Sequence, residues 1–532
     1  MENPSVNLGN GKWATKSGSI LGSVVNEENR YAAIPFDFSR ASSGTTVNRQ
    51  GLIELVDEGV ELVVNGDFSD GEDDWVFSNS SLNLSGAEIN NIGQSNANSY
   101  ISSVNVGILG LTYKFTYDVL ETNGKNLVVE QASNVYLETD TIGVNREVVF
   151  EWTKTSSSSF TIKRYLAETK VTIDNVRLQE VLEEYPRIDF SEYTDGALLL
   201  EPQSTNILNQ SNYFEPSPWG NYESSLINNK YTSPSGDMSA SKLIESNSLS
   251  IHRLSYSSVS ITAGQSYTLS VFAKKESRDH LSLTNYDGGT DTTTWFDLSN
   301  GEVVGGIGSI KPMGDGWYRC SKSFTAAVTT TSNYVVQVMI GDGASSYYQG
   351  DGVSGLYVYG AQLEALPYAT SYIPTYGSIA TRAAEVCDNG GVVTDFNSNE
   401  GVLYVEASTL VNGADCRITL SDGTITNRVS IEWDILASTI KGFTGSNGNL
   451  VSSSYNQTDS LKIAVKFKEG DAALWINGIE VDTDTSTSIL SGINTLEFSN
   501  YDGNKAFEGR LKDLRVYKKA LTDAELITLT TL

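Results

Sequence analysis

The amino-acid sequence predicts an all-β protein built from several domains. Glycine (47 residues) and tyrosine (27) are abundant and proline (10) is scarce, and serine, threonine and asparagine recur, which favours short strands joined by polar turns. Several segments alternate apolar and polar residues with the period of two that marks a half-buried strand. Because 532 residues exceed what a single core usually organises, we expect three or four domains.

Residues 1–58 are predicted to form a short, irregular N-terminal arm. Their first part, NLGNGKWATKSGSILG, is punctuated by glycine and asparagine too often for a stable helix or a long strand. The segment is also too small to build a hydrophobic core of its own. An arm that packs against another protein and a disordered leader both fit this pattern.

Two separated motifs predict an inserted domain. They are FDFSRASSGTTVNRQGLIE, from Phe36, and YPRIDFSEYTDGALLLEPQSTNIL, from Tyr185. Together they resemble a signature of modular fibre and appendage proteins of tailed bacteriophages and prophages, in which the two halves lie close together. Here about 130 residues separate them. We therefore predict that residues 59–183 are inserted into one continuous segment, whose second half, residues 184–203, links to the next domain.

The predicted insert, residues 59–183, begins with ELVVNGDFSDGEDDW and ends with KVTIDNVRLQEV. This pair of segments resembles carbohydrate-binding jelly rolls related to families four, nine and twenty-two. Between them, LTYKFTYDV and REVVFEWTK alternate large apolar and polar residues, as half-buried strands do. The residues that match the jelly-roll pattern are Asn65, Gly66, Phe68, Trp75, Asp174, Val176 and Leu178.

Residues 204–388 repeat the same plan and predict a second jelly roll. QSNYFEPSPW corresponds to NGDFSDGEDDW, SYTLSVFAKK to LTYKFTYDV, and GLYVYGAQLE to VTIDNVRLQE. The segments WFDLSNGEVV and GDGWYRCSKSFTA also resemble the phage appendage family. The two modules are therefore expected to share one architecture.

Residues 389–532 predict a different β-sandwich at the C-terminus. LKIAVKFKEGDAALWINGIEV and FEGRLKDLRVYKKALTDAELITLT resemble the last hairpin, strand and helical turn of concanavalin A-like and laminin G-like domains. Asn477-Gly478 is a favoured type I′ hairpin turn, which supports the hairpin independently of the resemblance.

Charge and cysteine content exclude several classes of function. The formal net charge of -29 would repel a phosphate backbone, so we expect no nucleic-acid partner. Cys320, Cys387 and Cys416 are too few and too widely spaced for a disulfide scaffold or a zinc site and are predicted to be buried free thiols. We find no secretory signal and no apolar run long enough for a membrane helix. The resemblance implies a virion location, with assembly in the host cytoplasm and release by lysis.

Catalysis is not expected. His252 and His280 are the chain's histidines, and neither lies near a nucleophile motif or a metal-binding motif. The sequence leaves undecided whether two of the 65 acidic residues form a catalytic carboxylate pair, since only the geometry of the folded chain identifies one. Phage spikes that cut polysaccharide usually do so on a β-helix, and we find no solenoid repeats of that kind. We therefore predict no catalytic residues and no required cofactor.

Glycan binding is the predicted chemistry of the second module, because flat apolar sugar faces stack on exposed aromatic rings and polar side chains fix the hydroxyl pattern. Trp219 and Trp295 could equally be core residues. Tyr347 and Tyr348 are adjacent in a strand and cannot both face the core. The candidates are Trp219, Tyr286, Trp295, Tyr347 and Tyr348, with Asp287 and Asp351 as hydroxyl acceptors.

A structural calcium ion is a further expectation, because jelly rolls of the carbohydrate-binding type often hold one near their first and last strands. Asp67 and Asp174 occupy those places, and oxygen ligands suit calcium. The acidic run Asp70 to Asp74 lacks the spacing of an EF-hand loop and is interpreted as a solvated turn.

The resemblance implies a structural appendage of a tailed phage, such as a head fibre, a tail fibre or a decoration protein. Its N-terminal arm would bind other virion proteins, and its modules would bind host-surface glycan with an avidity that grows with copy number. A homotrimer is expected by analogy with phage fibres. Two alternatives are a purely architectural capsid or tail protein without sugar binding, and a polysaccharide-cleaving tail spike.

Overall fold

The computed structural model describes three β-sandwiches. It covers residues 3–25, 31–56, 58–83, 85–90, 92, 100–103, 107–109, 112–125, 127–131, 134–139, 146–154, 159–164, 167–181, 184–214, 218–286, 291–332, 335–436, 438–446 and 448–532. The paired strands are antiparallel, and a C-terminal helix, Asp523–Thr530, is capped by Thr522. The predicted all-β, multi-domain fold is therefore confirmed.

The N-terminal strands belong to the C-terminal sandwich, which corrects the prediction of an irregular arm. Strand Val6–Gly9 pairs with strand Gly509–Tyr517, and Ser19–Val25 pairs with Tyr31–Ser39. One sheet of this sandwich contains Val6–Gly9, Thr15–Lys16, Ser19–Val25, Tyr31–Ser39, Arg187–Asp189, Ala197–Leu200, Val386–Asp388, Glu400–Thr409, Leu461–Lys468, Ala472–Ile476, Ile479–Asp484 and Gly509–Tyr517. The facing sheet contains Cys416–Ser421, Arg428–Trp433, Thr439–Thr444, Gly448–Ser454 and Thr495–Glu497.

Burial explains why the N-terminal segment is ordered. Val6 is 0% exposed, Leu8 is 1% exposed and Ile20 is 0% exposed, and all three pack in the core of the C-terminal sandwich. Burying an aliphatic side chain stabilises a fold by roughly 1.5–3 kcal/mol. The segment has too few apolar residues for a core of its own, and it completes the core of the C-terminal sandwich.

The first inserted sandwich is formed by residues 58–181. Its core contains Phe115, Tyr117, Trp75 and Phe160, whose rings meet edge to face. One sheet contains Glu58–Glu61, Ser80–Asn83, Gly86–Asn90, Thr112–Thr122, Arg146–Thr153 and Lys170–Val181. The other contains Trp75–Ser78, Tyr100–Ser103, Leu127–Gln131, Asn134–Thr139 and Phe160–Arg164.

The second inserted sandwich lies within residues 204–382 and has two six-stranded sheets. The sheet that we call the open sheet contains Trp219–Tyr222, Arg253–Tyr256, Gln337–Gly341, His280–Tyr286, Asp291–Asp297 and Glu302–Gly305. The sheet that we call the covered sheet contains Ser224–Tyr231, Ala240–Glu245, Gly355–Glu364, Ser266–Lys275, Tyr318–Thr325 and Ser309–Pro312. Four short pairs complete the fold: Leu249–Ile251 with Tyr347–Gln349, Val259–Ile261 with Thr330–Ser332, Ser204–Asn206 with Ala380–Arg382, and Thr45–Val47 with Ile53–Leu55.

The last of these pairs, which we call the bridging hairpin, covers the outer face of the covered sheet. Ile53 packs against Phe272 and Trp317 there, and its amide donates to the carbonyl of Pro234 at 2.9 Å. The hairpin belongs to the first of the two separated motifs. Through it, this motif packs on the second sandwich.

A buried cluster of charges ties the same elements together, and we call it the arginine–glutamate cluster. Arg40 Nη1 lies 2.8 Å from Glu385 Oε1, and Arg187 Nη2 lies 2.8 Å from Glu201 Oε2. Arg187 also pairs with Glu385, and Arg382 Nη1 lies 3.0 Å from Glu201 Oε2. These side chains are at most 4% exposed. The charged residues of the two motifs thus have a structural role at this junction.

The three cysteines are buried free thiols, as the sequence predicts. Burial raises the pKa of Cys416 to about 12, so this thiol stays protonated at neutral pH. Among the described residues, no helix combines the length and the apolar character that a bilayer crossing requires.

Candidate functional site

Trp219 and Tyr348 lie in places that exclude contact with a glycan, which corrects their assignment. Trp219 is 1% exposed, and its indole nitrogen donates to the carbonyl of Gln210 at 2.8 Å. Tyr348 is 7% exposed, and its hydroxyl donates to Glu245 Oε2 at 2.7 Å. Both rings pack as structural residues, with Trp219 in the core.

Tyr347 and Asp351 are accessible, but neither lies on the open sheet. Tyr347 is 60% exposed, so it and its neighbour Tyr348 do face opposite ways. Asp351 Oδ1 accepts hydrogen bonds from the amides of Val353 and Ser354, which occupies this carboxylate in its own turn. Hydrogen bonds from Ser354 and Val353 lower the pKa of Asp351. The predicted acceptor Asp287 lies outside the described residues.

Tyr286 and Trp295 lie on the outer face of the open sheet, on adjacent strands, and both are partly exposed. Leu281 and Leu283 alternate with these outer positions and point into the core. A ring that points outward from a sheet is available to solvent and to a ligand. These two residues keep their status as candidates.

The strand register places Trp295 at one end of a row of five side chains across the open sheet, which we call the cross-strand row. Trp295 is opposite Ser282, Ser282 is opposite Met339, Met339 is opposite Arg253, and Arg253 is opposite Tyr222. Four strand spacings of about 4.8 Å make the row about 19 Å long. It therefore has the length for an oligosaccharide.

Each end of the row presents an aromatic ring. Tyr222 is 50% exposed, and the Arg253 guanidinium carbon lies 5.0 Å from the centre of its ring. Trp295 lies against Gly341, where an added Cβ would be 2.4 Å from Trp295 Cζ3. The glycine therefore lets the indole reach across strand His280–Tyr286 to strand Gln337–Gly341.

The floor between the two rings is polar and closely packed. Ser282 is 0% exposed, and its hydroxyl makes no hydrogen bond in the described part of the chain. The next row contains Gln337, which accepts from Arg253 Nη1 at 3.0 Å, and Thr284, whose hydroxyl lies 2.8 Å from that of Thr293. Ser282, Gln337 and Thr284 are at most 2% exposed, so they support the outer rings from below and do not themselves reach a ligand.

The sequence did not single out Tyr222, Arg253, Met339, Ser282 or Gln337. Period-two alternation within HRLSYS and HLSLTNY separates inward from outward residues on each strand. It does not say which strands are neighbours, and so it could not bring these residues together. The pairing of strand Arg253–Tyr256 with strand Gln337–Gly341 joins segments about 80 residues apart.

Asp279, His280 and Asp297 form a group beside the row in which potential metal-ligating atoms lie within 4.8 Å of one another. Its carboxylates already have partners. Asp279 Oδ1 lies 2.6 Å from His280 Nδ1, and Asp297 Oδ1 accepts from the amide of Ser299 at 2.7 Å. The hydrogen bond from His280 lowers the pKa of Asp279. The group is well explained as the support of the turn at residues 297–300.

The calcium candidates Asp67 and Asp174 partly fit a hard cation. Asp174 Oδ1 is buried and makes no hydrogen bond within the described residues, and burial, followed by the charges of Asp118 and Asp67, raises its pKa. Asp67 Oδ1 instead accepts from the amide and the hydroxyl of Ser69, at 3.2 and 3.0 Å. A cation would find one unused oxygen at Asp174 and a negative local charge.

Comparisons with known proteins identify no family for this chain. No family model matches it, and no curated protein matches it. Among solved structures, the tandem CBM22 domains of Paenibacillus barcinonensis Xyn10C match at 11% identity and a TM-score of 0.21, over 58% of this chain and 99% of theirs. Mouse laminin alpha1 domains LG4-5 match at 9% identity and a TM-score of 0.19, over 50% of this chain and 89% of theirs. Trypanosoma rangeli sialidase matches at 10% identity and a TM-score of 0.23, over 92% of this chain and 98% of its own. TM-scores this low carry no argument about function.

Proposed function

We propose that this protein is a non-catalytic glycan-binding protein and that it binds an oligosaccharide along the cross-strand row of the open sheet. The observation that carries the proposal is the row itself, whose two ends present the partly exposed rings of Tyr222 and Trp295. Flat rings suit the apolar faces of sugars, and the partly exposed guanidinium of Arg253 suits their hydroxyls.

The row offers both donors and acceptors to a sugar. Arg253 is partly exposed and supplies guanidinium N–H donors, and the hydroxyl of Tyr222 can donate or accept. Met339 is 6% exposed and forms an adaptable apolar part of the floor. Such a surface would bind one chain weakly, so many copies would be needed for firm adhesion.

The biological setting that we propose is a bacteriophage virion, in which the protein would be an appendage that adheres to host-surface glycan. The support is the resemblance of the two separated motifs to phage appendage proteins. We further propose a homotrimer on the particle. Because the N-terminal strands are built into the C-terminal sandwich, contact with other virion proteins would be made by folded surfaces and not by a free arm.

A glycan array with the full chain tests the proposal, using bacterial surface polysaccharides and their oligosaccharides. Trp295→Ala and Tyr222→Ala should each weaken binding to the best ligand at least tenfold in calorimetry. Tyr347→Ala is the matched control, because Tyr347 is 60% exposed and lies off the open sheet. Equal losses in all three variants, or no bound glycan, would overturn the proposal and favour the architectural alternative. Release of reducing ends from the same glycans would overturn its non-catalytic part.

A structural calcium ion near Asp174 is a separate proposal. Calcium should raise the melting temperature of the full chain, and Asp174→Asn should remove most of that increase. Asp70→Asn, in the neighbouring exposed turn, is the control. A melting temperature that does not respond to calcium would exclude the site.

A further inference from the structure

A cavity lies in the second inserted sandwich at the outer face of the covered sheet, on the side opposite the open sheet. Its volume is about 510 Å³, within the range of roughly 300–1,000 Å³ that small-molecule sites occupy. The bridging hairpin and the C-terminal sandwich form its other walls, through Thr46 and Leu410 respectively. Ile307 at its edge is 88% exposed, so the cavity reaches the protein surface.

Arg319 lines this cavity, where it is half-buried. Its Nη1 donates to the carbonyl of Thr370 at 2.6 Å, and its Nη2 donates to the Ser270 hydroxyl at 3.1 Å. Its Nε is buried and makes no hydrogen bond within the described residues. The guanidinium carbon lies 5.3 Å from the centre of the Phe272 ring, opposite it in the strand pair.

The contrast with the other basic residues of the cavity is informative. Lys311 Nζ lies 2.5 Å from Glu192 Oε1, and Arg510 Nε lies 3.5 Å from Asp189 Oδ1. Arg319 forms no ion pair with any carboxylate in the described part of the chain. Burial lowers its pKa, although the more distant charges of Glu364 and Glu201 act in the opposite direction. Among the described residues that line the cavity, Arg319 is thus the basic side chain that has no direct counter-ion.

The remaining walls suit a sugar ring. Tyr368 is partly exposed and provides aromatic surface, and Ser321 and Ser309 add hydroxyl groups. Ser321 lies opposite Ser309 in the covered sheet, so these hydroxyl groups are neighbours along the cavity. Aromatic surface with hydroxyls favours a carbohydrate over a simple inorganic anion.

We propose that this cavity binds the carboxylate of an acidic sugar, such as a uronic acid, with Arg319 as its anchor. The carboxylate accepts hydrogen bonds from guanidinium N–H groups that the protein does not use, and charge-assisted bonds of this kind are the stronger class. The net charge of -29 repels anions over most of the surface, so recognition depends on this local cation. The inference is independent of the open sheet, because it rests on different residues.

The test is a titration of the full chain with sodium glucuronate, followed by calorimetry and ligand-observed magnetic resonance. Glucose is the neutral counterpart, and N-acetylglutamate is a carboxylate without a sugar ring. We expect glucuronate to bind at least tenfold more tightly than either. Undetectable binding of glucuronate at millimolar concentration overturns the proposal, and equal binding of N-acetylglutamate overturns the assignment to sugars.

Variants assign the binding to the cavity. Arg319→Gln should weaken glucuronate binding at least tenfold, and Arg319→Lys should weaken it less. Tyr368→Ala gives a second reading, should Arg319→Gln fail to fold, because Tyr368 is a partly exposed wall residue. Tyr347→Ala should leave glucuronate binding unchanged, because Tyr347 is exposed and does not line the cavity. Loss in Trp295→Ala together with full retention in Tyr368→Ala and the Arg319 variants would place the ligand on the open sheet and overturn the proposal.

Discussion

The two outer faces of the second sandwich start from the same architecture and end with different roles. On the open sheet, Tyr222 and Trp295 remain partly exposed at the ends of the cross-strand row. On the covered sheet, Phe272, Tyr359 and Tyr372 pack with Ile53 of the bridging hairpin and are at most 6% exposed. Aromatic residues on the outer face of a sheet therefore become either a binding surface or a second core, depending on what packs against them.

The charged residues beside the two sheets also differ in what they pair with. Beside the covered sheet, buried arginines and glutamates pair directly in the arginine–glutamate cluster. On the open sheet, Arg253 instead lies over Tyr222 and donates to the neutral Gln337. Buried ion pairs fix a geometry, because breaking one leaves a charge without compensation. We therefore expect changes on the covered side to act on stability and changes on the open side to act on binding.

Removal of a carboxylate from the arginine–glutamate cluster should have the largest effect. Glu385→Ala leaves Arg40 and Arg187 without their shared partner and should lower the free energy of unfolding by about 3–5 kcal/mol. Urea denaturation of the transition that includes the C-terminal sandwich measures it. The control is Asp315→Asn, which removes the charge of an exposed pair with Lys274, keeps a residue that tolerates the positive φ of this position, and should change stability by less than about 1 kcal/mol. Similar effects of the two changes would contradict the structural role of the cluster.

Loosening the contact of the bridging hairpin should come next. Ile53→Ala removes a side chain that is 6% exposed and packs on Phe272 and Trp317, and it should cost about 2–4 kcal/mol. Ile425→Ala, at a position 45% exposed, should cost less than about 0.5 kcal/mol in the same denaturation experiment. If Ile53→Ala were as mild as its control, the outer face of the covered sheet would not act as a second core.

The junction should also weaken in acid. Burial alone would raise the pKa of Glu385, but Arg187 and then Arg40 outweigh it and hold that pKa below the ordinary value of 4.5. A carboxyl group whose pKa is lower in the folded state contributes stability that is complete above its unfolded pKa and is lost as the pH falls through and below that value. Unfolding free energies measured from pH 7 to pH 3 should therefore decline below about pH 4.5. The Glu385→Ala variant should decline less, and an equal decline would assign the effect to other groups.

Changes in the cross-strand row should affect stability least. Trp295→Ala should cost about 1 kcal/mol or less because the ring is partly exposed, and Ser282→Ala should stay within about 0.5 kcal/mol because its hydroxyl has no partner to lose. Melting curves without glycan measure both. A loss of several kcal/mol in Trp295→Ala would mean that the open sheet is a structural surface and would remove the contrast between the two faces.

Local patterns predicted individual elements well. The segment GLYVYGAQLE, which corresponds to VTIDNVRLQE, forms strand Gly355–Glu364, and residues 112–119 of the alternating segment LTYKFTYDV lie within strand Thr112–Thr122. The Asn477-Gly478 turn joins Ala472–Ile476 to Ile479–Asp484, and the DAEL segment begins the C-terminal helix. These features depend on side chains that are neighbours in sequence, so the printed chain contains the information that forms them. The sequence left the position of Trp295 open between core and surface, and the structure places it on the outer face of its strand, next to the core residue Phe296.

The sequence by itself determined the all-β class, the repeated plan of the two jelly-roll-like modules and the buried thiols. Tertiary structure alone decided that the N-terminal strand completes the C-terminal sheet, with the Ser5 hydroxyl bonded to the carbonyl of Val516. It also decided that Trp219 is a core residue, that Tyr222 and Trp295 share one row, and that Arg319 lacks a carboxylate partner within the described residues. The physical reason is the same in each case. Alternation along a strand is a local property, whereas burial and pairing depend on strands that are distant in the chain and adjacent only after folding.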